Sequence, residues 1–487
     1  MWDKNVLQDL MKEKLAKYKF IIVSNRQPYV FDYVGRKVKC TKTIGGLVTA
    51  MDPVMQASEG VWVAASSGDA DNSVIDKNNI VKVPPEKSAY SMKLINLTKN
   101  EEQGYYYGYS NQALWPLSHI AYRQPNFMHS DWETYKNVNK RFAESVLELF
   151  DDKQPFIWLQ DYHLTLCAKY IKEKKPEAVS SLFWHIPWPN PEVFRVCPQK
   201  TEILEGLLAN DLLGFHIKYH CHNFLETCEI ELESKVDWEE SAVTYKGHKT
   251  LIKDFPISVD FESLSEMAGS ADVTKKVEDL SFEIDPPYEI LALSIDRVDY
   301  TKGIIEKIRA VDKFLEKYPE YHKKFVFFQK GALSRLHIKA YKELIDEIQA
   351  LTEEINWKYR SGNWYPIVLL NKKIDYTTHI ALYRACDLCL VGSLHDGMNL
   401  VAKEFISANV DIKGILMLSK FTGAARELKD AVLVNPYDTE GFADAIKMAI
   451  EIPPNEKKEQ IKRMREHIQE NNIYKWAGKF ISTLIKI

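Results

Sequence analysis

The sequence predicts an α/β protein made of two doubly wound domains that face each other across a cleft. Three observations carry this expectation. At 487 residues the chain is too long for one ordinary hydrophobic core. Short apolar runs recur along it with helical patterns between them, the signature of βα units and mostly parallel sheets. Polar and charged residues stand directly behind several of those runs, where open α/β sheets bind their ligands.

The elements follow in order. Trp2, Val6, Leu10 and Tyr18, with Leu7, Met11 and Leu15, give residues 1–18 the spacing of an amphipathic helix that docks on the protein. In the domain expected over 19–260, apolar runs at Phe20 to Ser24, Pro155 to Gln160, Ser181 to Ile186 and Leu212 to Phe215 read as buried strands. The pattern loosens near Phe255-Pro256-Ile257 and through the acidic, polar region up to Pro286-Pro287. A second domain is expected over 261–471, with strands at Ile290 to Ile295, Phe325 to Gln329, Ile367 to Leu370, Leu388 to Val391, Ile415 to Leu418 and Val432 to Val434. Residues 472–487 read as a closing helix able to cross back to the first domain.

Composition narrows the function. The 64 Lys and Arg against 68 Asp and Glu leave a formal charge of −4, which argues against a general nucleic-acid or anionic-membrane binder. An anionic substrate therefore needs local basic residues. No apolar run approaches the roughly 20 residues of a membrane span, and the charged N-terminal segment lacks the uninterrupted core of a signal peptide. Seven cysteines at irregular spacing do not make a disulfide framework and fit a reducing cytoplasm. Cys386 and Cys389 have redox spacing but straddle a helix end and a buried strand, so plain packing is expected. His216, His220, Cys221 and His222 resemble metal ligands, yet no second ligand pair with metal spacing accompanies them. No metal or other cofactor is expected, the partners are small molecules, and a homo-oligomer is left open.

The most informative stretch is Asp396-Gly397-Met398-Asn399-Leu400-Val401-Ala402-Lys403-Glu404, which runs from an apolar strand into a helical pattern. At the start of such a helix the amides of Met398, Asn399 and Leu400 lack intrahelical partners and can face an anion with the helix dipole behind them. Asp396 and Glu404 add carboxylates suited to sugar and ribose hydroxyls. The combination fits a nucleotide-activated sugar best, with a plain turn and helix cap at Asp396-Gly397 as the lesser alternative. Other rim candidates are Ser24-Asn25-Arg26, Asp161-Tyr162-His163, His185, and Arg297 with Lys302.

Together these segments resemble the trehalose-6-phosphate synthase family of retaining glycosyltransferases, in which two facing Rossmann-like domains form the GT-B fold. The matching text is Ser24-Asn25-Arg26, Gly45-Gly46-Leu47, Tyr106 through Trp115-Pro116, Trp158 through Leu164, His185-Ile186-Pro187-Trp188-Pro189, Arg297 with Asp299-Tyr300-Thr301-Lys302-Gly303, and Asp396 to Glu404. Phe421 to Ala425 and Val434 to Asp438 complete it.

The resemblance implies glucose transfer from a nucleoside diphosphate glucose to glucose 6-phosphate, without a metal. His185, Arg297, Lys302 and Asp396 are then the catalytic residues. Arg297 and Lys302 grip the donor diphosphate, Gly45 and Gly46 allow close backbone approach to it, and His185 and Asp396 hold the transferred glucose. Glu404 holds the ribose, and Gly397, Met398, Asn399, Leu400 and Val401 complete the donor site. Arg26, Tyr106, Trp115, Asp161 and Arg335 line the acceptor pocket. One departure stands out: bacterial-type members carry a second tryptophan in the segment matching Val63 to Gly68, where this chain has small residues. That keeps open another phosphorylated acceptor, such as glycerol 3-phosphate. A catalytically silent sugar-phosphate sensor is the alternative from another class, and the retained Arg297, Lys302, Asp396 and Glu404 speak against it.

Overall fold

The structure is a computed structural model that describes residues 2–43, 45–283, 285–333, 335, 337–372 and 374–487. The chain divides into two compact units, one of Met1–Ile257 with Asn472–Ile487 and one of Ser258–Asn471.

The first unit carries strands β1 (Tyr18–Arg26), β2 (Tyr29–Val34), β3 (Lys37–Lys42), β4 (Val61–Ala65), β5 (Ile80–Val83), β6 (Tyr90–Ile95), β7 (Gln154–Gln160), β8 (Val179–Phe183), β9 (Leu212–Phe215), β10 (Lys235–Asp237), β11 (Ala242–Tyr245) and β12 (His248–Asp254). Ten form one sheet in the order β10-β11-β12-β9-β8-β7-β1-β4-β6-β5, and β2 pairs with β3 as a separate hairpin. From β12 to β6 every pairing is parallel, while β10, β11 and β5 join antiparallel at the edges. The parallel centre is what the apolar runs signalled, because strands covered on both faces read as continuous hydrophobic stretches. Ile21, Ile22, Val23, Ile157, Trp158 and Leu159 are accordingly fully buried. The edge strands are half solvated and mixed in polarity, so their sequences carry no such signal. At β8 the expected strand ran to Ile186, whereas the ladder ends at Phe183. Trp184 and His185 lie beyond it.

Helices at the two chain ends meet on this unit. Lys4–Lys14 is capped by Asp3, which accepts the Val6 amide at 2.8 Å, and it buries Leu7 and Met11. The helix Ile473–Leu484 stacks Phe480 on Trp158 at 4.3 Å between ring centroids, with Trp476 beside it at 5.0 Å. Asn472 caps that helix and also donates to the Trp2 carbonyl at 2.7 Å. Gly478 is needed there, since a Cβ would lie 2.2 Å from the Trp2 ring.

The second unit holds β13 (Ile290–Arg297), β14 (Phe325–Ala332), β15 (Ile367–Leu370), β16 (Leu388–Val391), β17 (Ile415–Ser419) and β18 (Val432–Val434). They form one all-parallel sheet in the order β15-β14-β13-β16-β17-β18, with the direction of winding reversing between β13 and β16. That reversal makes a crevice at the carboxyl ends of the two strands, the place where open α/β sheets take ligands. Among the described residues no helix is long and apolar enough to cross a membrane, and no group of three or more His, Cys, Asp or Glu side chains could hold a metal ion. Cys386 and Cys389 are both buried free thiols.

Candidate functional site

In the second unit, β13 delivers Arg297 at its last position, and the chain then makes a short 3-10 turn, Tyr300–Lys302. Gly303 follows in the left-handed region with φ +59°, and a Cβ there would sit 2.1 Å from the Gly392 carbonyl oxygen. Glycine is therefore required where the Lys302 turn crosses the end of β16. The contact is reinforced by the Leu394 amide, which donates to the Thr301 carbonyl at 2.8 Å. The Lys302 ammonium consequently reaches the Asp396 carboxylate directly.

Asp396 is fixed from several sides. Its Oδ2 also accepts from Ser393 Oγ and Asn399 Nδ2, each at 3.2 Å, and its amide donates to the Phe421 carbonyl at 3.1 Å. The expected anion-binding helix spans Leu400–Ala408, with Asn399 as its cap at φ 76°. The helix thus opens later than the sequence suggested: Met398 precedes it, and the Asn399 side chain takes the Ala402 amide at 3.3 Å. Leu400 and Val401 form its first turn. Gly397 is buried against Gly423, where a Cβ would lie 2.1 Å from the Gly397 carbonyl. Glu404, one turn on, accepts from the Tyr383 hydroxyl at 3.0 Å, and desolvation raises its pKa while that bond partly offsets the shift.

Arg335 is turned into the protein. It is 7 % exposed, has φ 56°, and its Nη1 donates to Asp299 Oδ2 at 3.1 Å and to the Tyr341 hydroxyl at 2.5 Å. Arg297 Nη2 lies 3.8 Å from the same Asp299 oxygen. Burial alone would raise the pKa of Asp299, but Arg335, then Arg297, the Thr301 amide and Lys302, hold it at about 2.

In the first unit, Arg26 ends β1 exposed to solvent and donates through Nη2 to the Tyr106 hydroxyl at 3.0 Å. Tyr106 stands on a π-helix, Glu102–Leu114, and its ring stacks on His163 at 5.8 Å. Asn111 Nδ2 bonds the Tyr106 carbonyl at 2.7 Å and Gln112 Nε2 the Tyr107 carbonyl at 3.0 Å, so side chains brace this wide helix. Such windings recur at functional sites. Trp115 begins the following helix but is only 6 % exposed, packed on His119 and Tyr162 at 4.0 and 5.8 Å. The apolar face expected to meet a sugar ring is mostly covered by protein.

Asp161 and His185 come together behind the adjacent strands β7 and β8. Asp161, at φ 75°, accepts the His185 amide on Oδ1 at 3.1 Å, and its own amide donates to the Phe183 carbonyl at 2.7 Å. His185 Nε2 meets Gln160 Oε1 at 2.8 Å, and desolvation lowers its pKa to about 3. The imidazole is therefore neutral near pH 7, with Nε2 carrying the proton toward Gln160. Gly45 and Gly46 are exposed at the start of the helix Gly46–Ser58, and a Cβ on Gly45 would meet nothing within 4 Å.

Asp161, Arg335 and Asn399 all adopt positive φ without being glycine. Strained backbone of this kind persists where the surroundings over-determine it, commonly at functional sites. Sequence reasoning did not assign roles to Asp299, Tyr341, Gln160 or Ser393. Asp299 lay in a quoted motif, but its two-sided bonding depends on contacts 36 and 42 residues away.

Comparison with known proteins follows the same lines. The glycosyltransferase family 20 model matches residues 18–486. The trehalose-6-phosphate synthase of Mycolicibacterium smegmatis is 33% identical over 477 residues, covering 96% of this chain and 92% of the relative. A solved E. coli structure of this type, bound with UDP-2-fluoro glucose, superposes with a TM-score of 0.84 at 30% identity, covering 96% of this chain and 99% of its own. The UDP-forming alpha,alpha-trehalose-phosphate synthase of Burkholderia xenovorans, in complex with glucose-6-phosphate, gives a TM-score of 0.85 at 29% identity over 96% of this chain and all of its own. By sequence across nearly its whole length and by fold, the chain belongs to glycosyltransferase family 20.

Proposed function

We propose that the protein transfers glucose from a nucleoside diphosphate glucose, UDP-glucose in the first instance, to glucose 6-phosphate, forming trehalose 6-phosphate with retained anomeric configuration. The observation that carries this reading is the assembly behind β13 and β16, where Lys302 pairs with Asp396, Asp396 bonds Asn399 at the cap of the helix Leu400–Ala408, and Arg297 ends the neighbouring strand. Two cations next to a helix start suit a diphosphate, whose charge grows as it leaves. Lys302 then exchanges its Asp396 partner for phosphate, and Asp396 turns to a sugar hydroxyl. Basic groups and helix amides supply the charge stabilisation that a metal ion supplies elsewhere.

On the acceptor side, Arg26 and Arg335 pair with the sugar phosphate, Tyr106 supports Arg26, and Asp161 orients the attacking hydroxyl. The departing phosphate takes the proton from that hydroxyl on the same face. Neutral His185 serves the transferred glucose as a hydrogen-bonding group. Purified protein assayed with several nucleotide-glucose donors decides the matter, and no nucleoside diphosphate release with any acceptor would overturn it.

A second acceptor is favoured by one observation. β4 ends at Ala65, and the following Ser66, Ser67 and Gly68 are folded onto the Asp71 carboxylate at 2.8–3.1 Å, with no aromatic side chain among them. A panel of glucose 6-phosphate, glycerol 3-phosphate and unphosphorylated glucose separates the two acceptors.

A further inference from the structure

We propose that Asp299 and Tyr341 are positioning residues that set the cations of the second unit: Asp299 serves donor and acceptor groups together, Tyr341 the acceptor group alone. This rests on the reading above, in which Arg297 and Lys302 face the donor diphosphate and Arg335 the acceptor phosphate.

The two oxygens of Asp299 have separate tasks. Oδ1 accepts from the Thr301 amide at 3.1 Å and from Thr301 Oγ1 at 2.9 Å, which closes the 3-10 turn that carries Lys302. Oδ2 accepts from Arg335 Nη1 and from the Tyr341 hydroxyl, both at 3.1 Å, and lies 3.8 Å from Arg297 Nη2. One fully buried carboxylate thereby orients one cation through the backbone and two through its charge. Its burial makes the arrangement stiff, because a buried carboxylate keeps its donors at close to full strength.

Tyr341 contributes differently. It is 1 % exposed, its hydroxyl receives Arg335 Nη1 while donating to Asp299, and its ring centroid lies 5.5 Å from the Arg335 guanidinium carbon. Its hydroxyl bonds Arg335 and Asp299, while its ring packs on Tyr300 of the Lys302 turn at 5.5 Å between centroids, so the selective role belongs to the hydroxyl, which Tyr341→Phe removes with the ring kept in place. Among five neighbouring groups, the three cations Arg297, Lys302 and Arg335 face the two carboxylates Asp299 and Asp396. An incoming phosphate competes with these carboxylates for the cations, and Asp299 keeps Arg335 and Lys302 at fixed positions.

The experiment compares Asp299→Asn and Tyr341→Phe with wild type by initial rates against each substrate and by calorimetry with UDP and with glucose 6-phosphate. Tyr341→Phe should raise KM for glucose 6-phosphate about 5- to 10-fold, the effect of one hydrogen bond, and leave UDP affinity unchanged. Asp299→Asn should weaken UDP and glucose 6-phosphate binding alike and lower kcat/KM by about 10- to 150-fold, the effect of one charge-assisted bond. A simple packing role predicts no such split between substrates. If Tyr341→Phe impairs both substrates equally, or if folded variants keep wild-type affinities, the proposal is wrong. Should Asp299→Asn fail to fold, Tyr341→Phe still decides the outcome through its selectivity. Failure of the functional reading shows separately, as absence of transfer by wild type with UDP-glucose and glucose 6-phosphate. The calorimetric arm then still reports on both variants.

Discussion

The two arginines proposed for the sugar phosphate, one in each unit, are held in opposite ways. In the second unit Arg335 is buried in an ion pair with Asp299, and Lys302 is paired with Asp396 in a setting about six-sevenths buried. In the first unit Arg26 stands exposed at the end of a strand with a tyrosine hydroxyl at 3.0 Å. The second unit is organised before any ligand arrives, and its cations must exchange carboxylates for phosphate. The first unit leaves its arginine almost as water would find it, so ligand binding must itself provide the order. A buried pair has a large stability consequence when broken, whereas an exposed group has little.

The largest expected effect tests that contrast most directly. Arg335→Ala leaves a buried carboxylate short of its closest cation and should destabilise the protein by about 3–5 kcal/mol, measured by denaturant unfolding. Arg26→Ala should leave the unfolding midpoint unchanged. If both arginines prove equally silent in stability, the contrast between the units collapses.

Lys302→Ala comes next. Loss of a charge-assisted contact in the transition state should remove about 2–4 kcal/mol, or roughly 30-fold to several hundred-fold in kcat, and the melting temperature should fall as well, because Asp396 loses its cation in a mostly buried setting. A collapsed melting temperature with normal turnover in the surviving enzyme would mark Lys302 as structural instead.

Arg26→Ala should weaken acceptor use by about 1.5–3 kcal/mol, the worth of a hydrogen bond to a charged group, while UDP affinity by calorimetry stays at wild type. The loss should be much smaller with unphosphorylated glucose. Equal losses with both sugars would remove the phosphate from the proposed role of Arg26.

The effect that is smallest at neutral pH and grows with acidity concerns His185, whose pKa is lowered to about 3 by desolvation. An unfolded histidine titrates near 6.5, so between about pH 6.5 and 3 the unfolded state binds a proton that the native state does not. Stability should therefore fall with acidification across that window. His185→Gln should flatten this limb of the melting-temperature profile, and an unchanged limb would show that the native imidazole takes up its proton normally.

The legible part of the molecule was its parallel centre. Doubly covered strands such as β7, and the Asp396 to Glu404 segment behind β16, follow from local pattern, and the structure has those elements near the expected positions. The π-helix under Tyr106 was not legible, because its residues show neither a helical nor an alternating period that distinguishes five-residue bonding. Nor was the inward turn of Arg335, since Asp299 and Tyr341 become its partners only once β13 and β14 lie side by side. Trp115 shows the converse: its place in the sequence suggested a sugar-facing ring, and packing on His119 and Tyr162 covered it.

The helix Ile473–Leu484 belongs to the first unit although it is made after the whole of the second. On a ribosome adding about 5–20 residues per second, roughly ten to forty-five seconds separate Phe255 from Phe480. For that interval Trp158 and Phe183 lack the aromatic partner that covers them in the finished protein. The second unit, contiguous from Ser258 to Asn471, can close in the meantime. Nascent chains are thus most exposed to aggregation through their oldest half, and a stop codon just before residue 473 would damage the N-terminal unit while sparing its neighbour in sequence.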